Sequence, residues 1–201
     1  STEHILVHSK IYNKFKRALT KKLNALRVGD GLKKNELGPL STEAAFNKAK
    51  NIINDAANKG ALITCHKDSE HIESLKGYFI CPAIIEKTKS NMLCEKDEMF
   101  APFVTIEPYI KISEAVKKVN KSQFGLGFNM ITKDLEEAHY ISRNIEAGLV
   151  WINNPLIDND ALPFGGLKKS GIGRELGKMG LDTFRQTKMV IIDNEQKIHE
   201  W

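Results

Sequence analysis

Two stretches in the first third of the chain have apolar residues at helical spacing. In residues 10–26 the apolar positions are three or four apart and most of the others are polar, which predicts an amphipathic helix with Ser9 as its N-cap. Residues 43–60 repeat the pattern with a stripe of Ala, Ile and Phe. Ser41 or Thr42 can cap this second helix.

Apolar and β-branched runs predict strands along the rest of the chain. The predicted strands cover residues 3–8, 61–65, 102–109, 126–132 and 147–153. An extended segment at 78–87 contains Pro82, which cannot donate to a ladder and therefore favours an edge position or a bulge. Residues 66–77 are polar and are predicted to form a loop.

The second half of the chain alternates strands with helices. Residues 113–122 and 134–145 have helical patterns, and the second begins with Asp134 and Glu137 in a capping-box arrangement. The β-α-β-α-β order predicts an α/β fold with a largely parallel twisted sheet flanked by helices. A further apolar run, KMVIID at 188–193, lies apart from this alternation and predicts a separate C-terminal strand.

The composition is that of a globular protein, with 201 residues, 41% hydrophobic and 27% charged. The longest uncharged apolar runs, such as AGLVWI, are too short for a membrane helix, and the first residues, STEHILVH, lack the apolar core of a signal peptide. Cys65, Cys81 and Cys94 are odd in number and have no CxxC spacing, which indicates a reducing compartment. We therefore expect a cytoplasmic protein without a membrane partner.

The net charge of +5 raises the question of nucleic-acid binding. The densest basic run, residues 10–23, places its cations on the solvated face of the predicted helix, and neither aromatic-interleaved basic strands nor zinc-finger spacing occurs. His66 and His71 come nearest to ligand spacing, but they flank the polar loop and are expected at the surface. We expect neither a nucleic-acid partner nor a metal site.

Residues 163–177, PFGGLKKSGIGRELG, form a glycine-rich stretch. Ile172 stands where a P-loop requires lysine, and the spacing after Gly173 is one residue too long for a dinucleotide fingerprint. One interpretation is a turn in which glycines allow close backbone approach, with structural or solvated roles for the cations. The other is a loop that binds an anion or presents Phe164 to a cavity.

The same stretch resembles the C-terminal signature of the NAD(P)-dependent aldehyde dehydrogenase superfamily, whose members typically read PFGGxKxSGxGRExG. Other stretches resemble the family in the same order: HSKIYNKFKRAL, VGDGLKKNELGPL, GYFICPAII, EMFAPFVTI, FGLGFNMIT and AGLVWINN. The resemblance covers nearly the whole chain. The form LPFGGLKKSGIGRELG is most similar to the succinate-semialdehyde dehydrogenase branch, although Ala161 stands where such relatives often have a cation.

The resemblance implies an aldehyde dehydrogenase-like catalytic domain over residues 1–185, followed by an oligomerisation strand and tail at 186–201 that contact another copy in a homo-oligomer. It implies oxidation of an aldehyde to a carboxylic acid with NAD or NADP, through a cysteine thiohemiacetal and thioester. The family's nucleophile would fall just before Ser1, and its general base and Rossmann-type domain further upstream. The three cysteines present fall in structural stretches. We therefore expect the 201 residues alone to be inactive; the alternative is a stand-alone, non-catalytic binding or assembly domain.

The resemblance also implies candidate site residues. Glu98 in EMFAPF matches the residue that holds the nicotinamide ribose, and Phe100 matches the ring that packs against the nicotinamide. A carboxylate suits paired hydroxyls, and a ring supplies a flat apolar surface. Phe164 matches an aromatic residue of the aldehyde tunnel, and Asn154, with Asn153, ends the strand before the substrate loop. The alternative for each is a plain surface, capping or core role.

Overall fold

The computed structural model describes residues 2–157 and 159–192. The chain divides into two compact units, Ser1–Ser122 and Gln123–Trp201. The division falls inside residues 1–185, whose assignment to one catalytic domain stays a prediction. No helix in the described ranges is long and apolar enough to cross a membrane.

The first unit is built on a four-stranded sheet. Its elements are β1 (His4–His8), α1 (Tyr12–Leu23), α2 (Glu43–Asn58), β2 (Leu62–Cys65), α3 (Ser69–Ser74), β3 (Ala83–Glu86), α4 (Leu93–Lys96), β4 (Phe103–Tyr109) and α5 (Ile112–Asn120). The strand order is β1-β4-β3-β2. Strands β1 and β3 are parallel to β4, whereas β2 is antiparallel to β3. This mixed, mostly parallel sheet flanked by helices confirms the predicted fold class.

The core of the first unit forms around β3 and β4. One cluster joins α2 to these strands and to the segment around α4; its buried members are Ala49, Ile52, Ala56, Ala83, Ile85, Met92, Cys94, Met99 and Phe103. A second cluster joins α1 to the sheet through Leu23, Ile84 and Ile106. Because successive residues of a strand point to opposite faces, Ile84 and Ile85 are buried on opposite sides of β3. The apolar stripes of both predicted helices therefore contribute to the core.

Pro82 does not lie at a sheet edge, contrary to the prediction. Strand β3 is an interior strand between β4 and β2. Pro82 directly precedes the first residue of β3, so its missing N–H removes no ladder hydrogen bond. Its carbonyl accepts the amide of His66 at 3.0 Å. A proline at the start of a strand is thus as compatible with a central position as with an edge.

The segment 66–77 is not only a loop. Residues Ser69–Ser74 form α3, and Ile72 is the buried residue of this helix. His66 is also buried, with 3% of its surface exposed, and its ring nitrogen Nε2 lies 3.1 Å from the carbonyl oxygen of Leu26. The expected surface position of His66 is therefore wrong. A helix this short carries a single buried apolar residue, so no periodic pattern reveals it.

The two N-caps predicted in the first unit have different outcomes. Thr42 caps α2 and accepts the amide of Ala45 at 3.1 Å, as predicted. Helix α1 begins after Ile11, with no side-chain cap. The amide of Ser9 donates instead to the carbonyl of Tyr109 at 2.8 Å. Ser9 thus continues the pairing of β1 with β4, which takes precedence over the local capping motif.

The described residues of the second unit form two small sheets. Its elements are β5 (Phe124–Gly125), β6 (Gly127–Met130), α6 (Leu135–Asn144), β7 (Leu149–Ile152), β8 (Leu167–Lys168) and α7 (Gly177–Asp182). Strands β6 and β7 are parallel, and β5 and β8 are antiparallel. Asp134 caps α6 as predicted. The capping box is incomplete, because Glu137 accepts the hydroxyl of Thr132 at 2.9 Å rather than the Asp134 amide.

The C-terminal segment is described as far as residue 192. Residues 186–192 have no regular secondary structure, and four consecutive apolar side chains are largely exposed: Met189, Val190, Ile191 and Ile192. The strand predicted at 188–193 is therefore not formed over 188–192, and Asp193 with the tail lies outside the described residues. A β-prone segment forms a strand only where a partner supplies the ladder hydrogen bonds.

Candidate functional site

A short loop between α4 and β4 carries two of the predicted site residues. Met99 is buried in the core of the first unit, whereas its neighbours Glu98 and Phe100 extend outside it. The ring of Phe100 is 71% exposed. Phe100 has a φ of +45°, in the left-handed region that residues with a Cβ rarely adopt. The buried methionine therefore anchors a turn that presents a carboxylate and an aromatic ring.

Polar contacts hold this loop from two sides. Lys48 of α2 donates its ammonium to the carbonyl oxygen of Glu98 at 2.6 Å. Glu3, directly before β1, accepts the amides of Met99 and Phe100, each at 2.8 Å. Lys48 and Glu3 are not among the site residues predicted from the sequence. They lie 50 and 97 positions from the residues they bind, and no local pattern reports such distant contacts.

The half-buried Glu98 and the exposed Phe100 of this loop fit a nicotinamide riboside. Within the described ranges, the carboxylate of Glu98 has no hydrogen-bond or ion-pair partner. Its two oxygens can accept from paired ribose hydroxyls, and the Phe100 ring offers a flat apolar face. Ala101 packs against the core and is not left-handed. The unusual backbone angle of the loop falls on Phe100.

Two of the three cysteines are buried and poorly suited to nucleophilic attack. Cys94 on α4 is fully buried, and burial raises the pKa of its thiol to about 11. Burial is also the main cause that raises the pKa of Cys81 to about 11, with a contribution from the neighbouring thiol of Cys65. Cys65 is exposed at the end of β2. Since the thiolate is the reactive form, Cys81 and Cys94 are inert at neutral pH.

The glycine-rich stretch of the second unit is a turn in which backbone packs against backbone. Phe164 and Glu175 exchange two backbone hydrogen bonds of 2.7 Å, which close the stretch on itself. A Cβ added to Gly148 would lie 1.8 Å from the carbonyl oxygen of Gly165. The backbone of the half-buried Phe164 is thereby fixed on a closed loop.

The cations of this stretch are engaged locally. Arg174 donates to two carbonyls of its own loop, at 2.9 and 2.7 Å. Lys168 forms an ion pair with Glu146 at 2.8 Å, and Lys169 donates to the side-chain oxygen of Gln123. These contacts favour the structural interpretation of the three cations over an anion cradle.

The two asparagines after β7 differ in their surroundings. The side chain of Asn153 accepts the amide of Thr132 at 2.8 Å and donates to its carbonyl at 2.7 Å. This pair of bonds continues the contact between β6 and β7 beyond their last ladder residues. Asn154 is exposed, and none of the described residues engages its amide. Asn153 therefore has a structural role, whereas the role of the exposed Asn154 toward a ligand stays a prediction.

The four predicted site residues fall into two pairs. Glu98 and Phe100 lie together on one loop of the first unit. Asn154 and Phe164 lie on two loops of the second unit. Their roles toward cofactor and substrate stay predictions.

Residues 1–190 match the model of the aldehyde dehydrogenase family. The chain belongs to the aldehyde dehydrogenase family. Its structure is similar to that of a double mutant of betaine aldehyde dehydrogenase from Staphylococcus aureus solved with NAD+, with a TM-score of 0.89 and 31% identity over 99% of this chain and 40% of that one. It is also similar to an NAD+ complex of an aldehyde dehydrogenase from Bacillus cereus, with a TM-score of 0.87 and 32% identity over 96% of this chain and 39% of that one.

Relatives by sequence include dehydrogenases that differ in the aldehyde they are named for. This aldehyde dehydrogenase chain is 34% identical to the peroxisomal aminoaldehyde dehydrogenase 1 of Pisum sativum, over 94% of this chain and 38% of that protein. It is 36% identical to the mitochondrial succinate-semialdehyde dehydrogenase of Oryza sativa, over 94% of this chain and 36% of that protein. The chain thus spans less than half the length of these relatives. Their similar identities favour no substrate branch, and the expected cytoplasmic location stays a prediction.

Proposed function

We propose that the chain is the C-terminal catalytic part of an NAD(P)-dependent aldehyde dehydrogenase, which oxidises an aldehyde to a carboxylic acid. The observation that carries this proposal is the loop around Met99, where a carboxylate that has no partner among residues 2–157 and 159–192 and an exposed ring flank a buried anchor. Family membership over residues 1–190 supports it, as do two structural neighbours bound to NAD+.

The bound cofactor supplies the acceptor for the hydride that leaves the aldehyde carbon. Glu98 would accept hydrogen bonds from the ribose hydroxyls and so limit rotation of the nicotinamide. Phe100 would offer its ring as an apolar surface for the nicotinamide. The rate of hydride transfer depends steeply on the distance and alignment of the two reacting atoms. The hydrogen bonds from Lys48 and Glu3 that hold this loop therefore support its proposed role.

Phe164 and Asn154 contact the aldehyde in this proposal. The backbone that carries Phe164 is held by two hydrogen bonds to Glu175, and the Asn154 amide could orient a carbonyl oxygen. The cations of the glycine-rich stretch are bound to groups of the protein, and Ala161 carries no charge. An uncharged or cationic aldehyde is therefore favoured over one that carries a carboxylate.

Neither buried cysteine is the nucleophile in this proposal, because the pKa of each thiol is raised to about 11. Cys65 ends β2, where it pairs with Ala83 of β3. It does not lie at the N-terminus of a helix, which would stabilise a thiolate. We expect the 201 residues assayed by themselves to be inactive.

The complete protein is proposed to be a homo-oligomer. The exposed apolar run Met189–Ile192 supports this, because a second copy that covers it would remove apolar surface from water and supply ladder hydrogen bonds.

The test is Glu98→Gln in the complete enzyme, with Glu43→Gln on the exposed first turn of α2 as the charge-matched control. Glutamine keeps the shape but replaces one acceptor oxygen with a donor, so one ribose hydroxyl loses its partner. Hydride transfer measured in a single turnover should slow about 10-fold or more, because the nicotinamide is misplaced. The Kd for NAD(P)+ should change little. A hydride-transfer rate equal to that of the control would remove Glu98 from the cofactor site.

A further inference from the structure

The carboxylate of Glu3 binds the backbone of the Glu98–Phe100 loop with both oxygens. Oε2 accepts the amide of Met99 and Oε1 accepts the amide of Phe100, each at 2.8 Å. Two adjacent amides are thus paired with the two oxygens of one carboxylate. Hydrogen bonds to an ionised acceptor are shorter and stronger than those between neutral groups.

The backbone of Glu3 is fixed by the strand that follows the same loop. Its carbonyl accepts the amide of Thr105 at 2.9 Å. The neighbouring His4 pairs with Thr105 in the parallel register of β1 and β4, and the His4 ring lies 2.8 Å from the Thr105 hydroxyl. Because its main chain is held on β4, Glu3 reaches the loop from a defined position.

The loop needs such support. Phe100 has a φ of +45°, and a non-glycine residue keeps this angle only where its surroundings enforce it. Met99 anchors the loop in the core, and Lys48 holds the carbonyl of Glu98. Glu3 supplies the remaining constraint, because its two oxygens orient the amides on either side of the Met99 Cα. Without it, the peptide between Met99 and Phe100 could rotate toward ordinary backbone angles.

We propose that Glu3 is a positioning residue for the cofactor site: through the amides of Met99 and Phe100 it sets the direction in which Glu98 and Phe100 face the nicotinamide riboside. This inference rests on the proposed function, which assigns the contacts of Glu98 and Phe100. Glu3 itself touches neither cofactor nor substrate. Its effect should therefore appear first in the loop and only then in the reaction.

The experiment compares Glu3→Gln with Glu114→Gln in the complete enzyme. Glu114 is exposed on α5 in the same unit, so the control loses the same charge without touching the loop. Hydrogen-exchange mass spectrometry follows the peptide that covers residues 97–103, without cofactor. Glu3→Gln retains one acceptor oxygen, so exchange in this peptide should become about 10-fold faster through loss of one charge-assisted bond. The control should leave it unchanged.

Hydride transfer and the Kd for NAD(P)+ are then measured in the same variants. Glu3→Gln should slow single-turnover hydride transfer several-fold while the Kd stays within about 2-fold, because the adenosine end is not affected. Glu3→Asp keeps both oxygens on a shorter side chain and should fall between wild type and Glu3→Gln in both measurements. If Glu3→Gln fails to fold, Glu3→Asp replaces it as the test variant in both measurements.

The possible failures are distinguishable. Exchange in residues 97–103 equal to that of the control would overturn the role of Glu3, whatever the activity. Faster exchange with normal hydride transfer, in an enzyme where Glu98→Gln is slow, would also overturn it. Normal hydride transfer in both Glu3→Gln and Glu98→Gln would instead contradict the proposed cofactor site.

Discussion

Replacing Gly148 with alanine should strongly destabilise the second unit. The added Cβ would lie 1.8 Å from the carbonyl oxygen of Gly165 and 2.8 Å from its carbonyl carbon, whereas nonbonded heavy atoms in contact are about 3.5 Å apart. Both partners are backbone, so no rotamer change relieves the overlap. The amide of Gly148 donates to the carbonyl of Gly125 at 2.9 Å, so a shift of Gly148 would disturb this hydrogen bond as well.

The magnitude follows from the kind of atoms that collide. Overpacking that side chains can absorb costs about 1–3 kcal/mol, and a backbone collision belongs at or above the upper end of that range. With an m-value of about 2 kcal/mol per molar urea, a loss of about 3 kcal/mol lowers the unfolding midpoint by about 1.5 M. Gly38→Ala is the matched control, because a Cβ there meets nothing within 4 Å. Its stability should change by less than about 1 kcal/mol.

The assay is urea unfolding followed by tryptophan fluorescence. Trp151 lies on β7 of the second unit, and its indole donates to the carbonyl of Ile157 at 2.8 Å. Trp201 is replaced with phenylalanine in every variant, so that Trp151 is the single tryptophan. If the midpoint of Gly148→Ala lies within about 0.3 M of that of Gly38→Ala, the close approach of the two glycines does not limit stability and the reasoning is refuted.

Four further predictions concern the thiols, the activity of the 201 residues alone, the pH dependence of stability and the C-terminus. At pH 8 a maleimide should label Cys65 quickly and Cys81 and Cys94 only on unfolding; rapid labelling of all three thiols would contradict this. The 201 residues alone should reduce no NAD(P)+, and turnover above the blank would contradict that expectation. Folding raises the pKa of the Cys94 thiol to about 11. The neutral buried thiol therefore contributes fully to stability below the ordinary thiol pKa, and this contribution is lost as the pH rises through the folded value. The urea midpoint should fall between about pH 9 and pH 11. A chain that ends at Gln186, without the apolar run at 189–192, should self-associate less than the full chain in light scattering; equal masses and equal melting temperatures would exclude a role of the tail in assembly.

Local patterns identified most of the elements. The helical stripe and the Thr42 cap of α2, the Asp134 cap of α6 and the strand–helix alternation from β4 onward are all present where the periodicity predicts them. Such features depend on neighbours within a few residues, so the sequence contains the whole signal. The glycine-rich stretch likewise reveals the family, because its spacing is specific even where its physical role is open.

Contacts between distant segments could not be predicted in this way. In the sequence, Glu86 stands at the end of an apolar run, where a charged residue is expected at the surface. In the structure it is only 5% exposed. Its carboxylate accepts the Tyr12 hydroxyl at 2.8 Å and lies 2.6 Å from the Lys16 ammonium. Burial and the bond to Glu86 raise the pKa of Tyr12. A buried carboxylate is stable only with such partners, and these come from a helix about seventy positions earlier.

The sequence by itself determined the α/β class and the family, because residue types and short spacings encode these directly; the roles of the four candidate site residues stay predictions. Only the tertiary structure decided that Pro82 precedes a central strand, that Gly148 meets Gly165, and that Glu3 holds the turn at Phe100. The physical reason is the same in each case. Strand order and close approach follow from how a whole core packs, and the left-handed angle of Phe100 is maintained by hydrogen bonds from a segment 97 positions away.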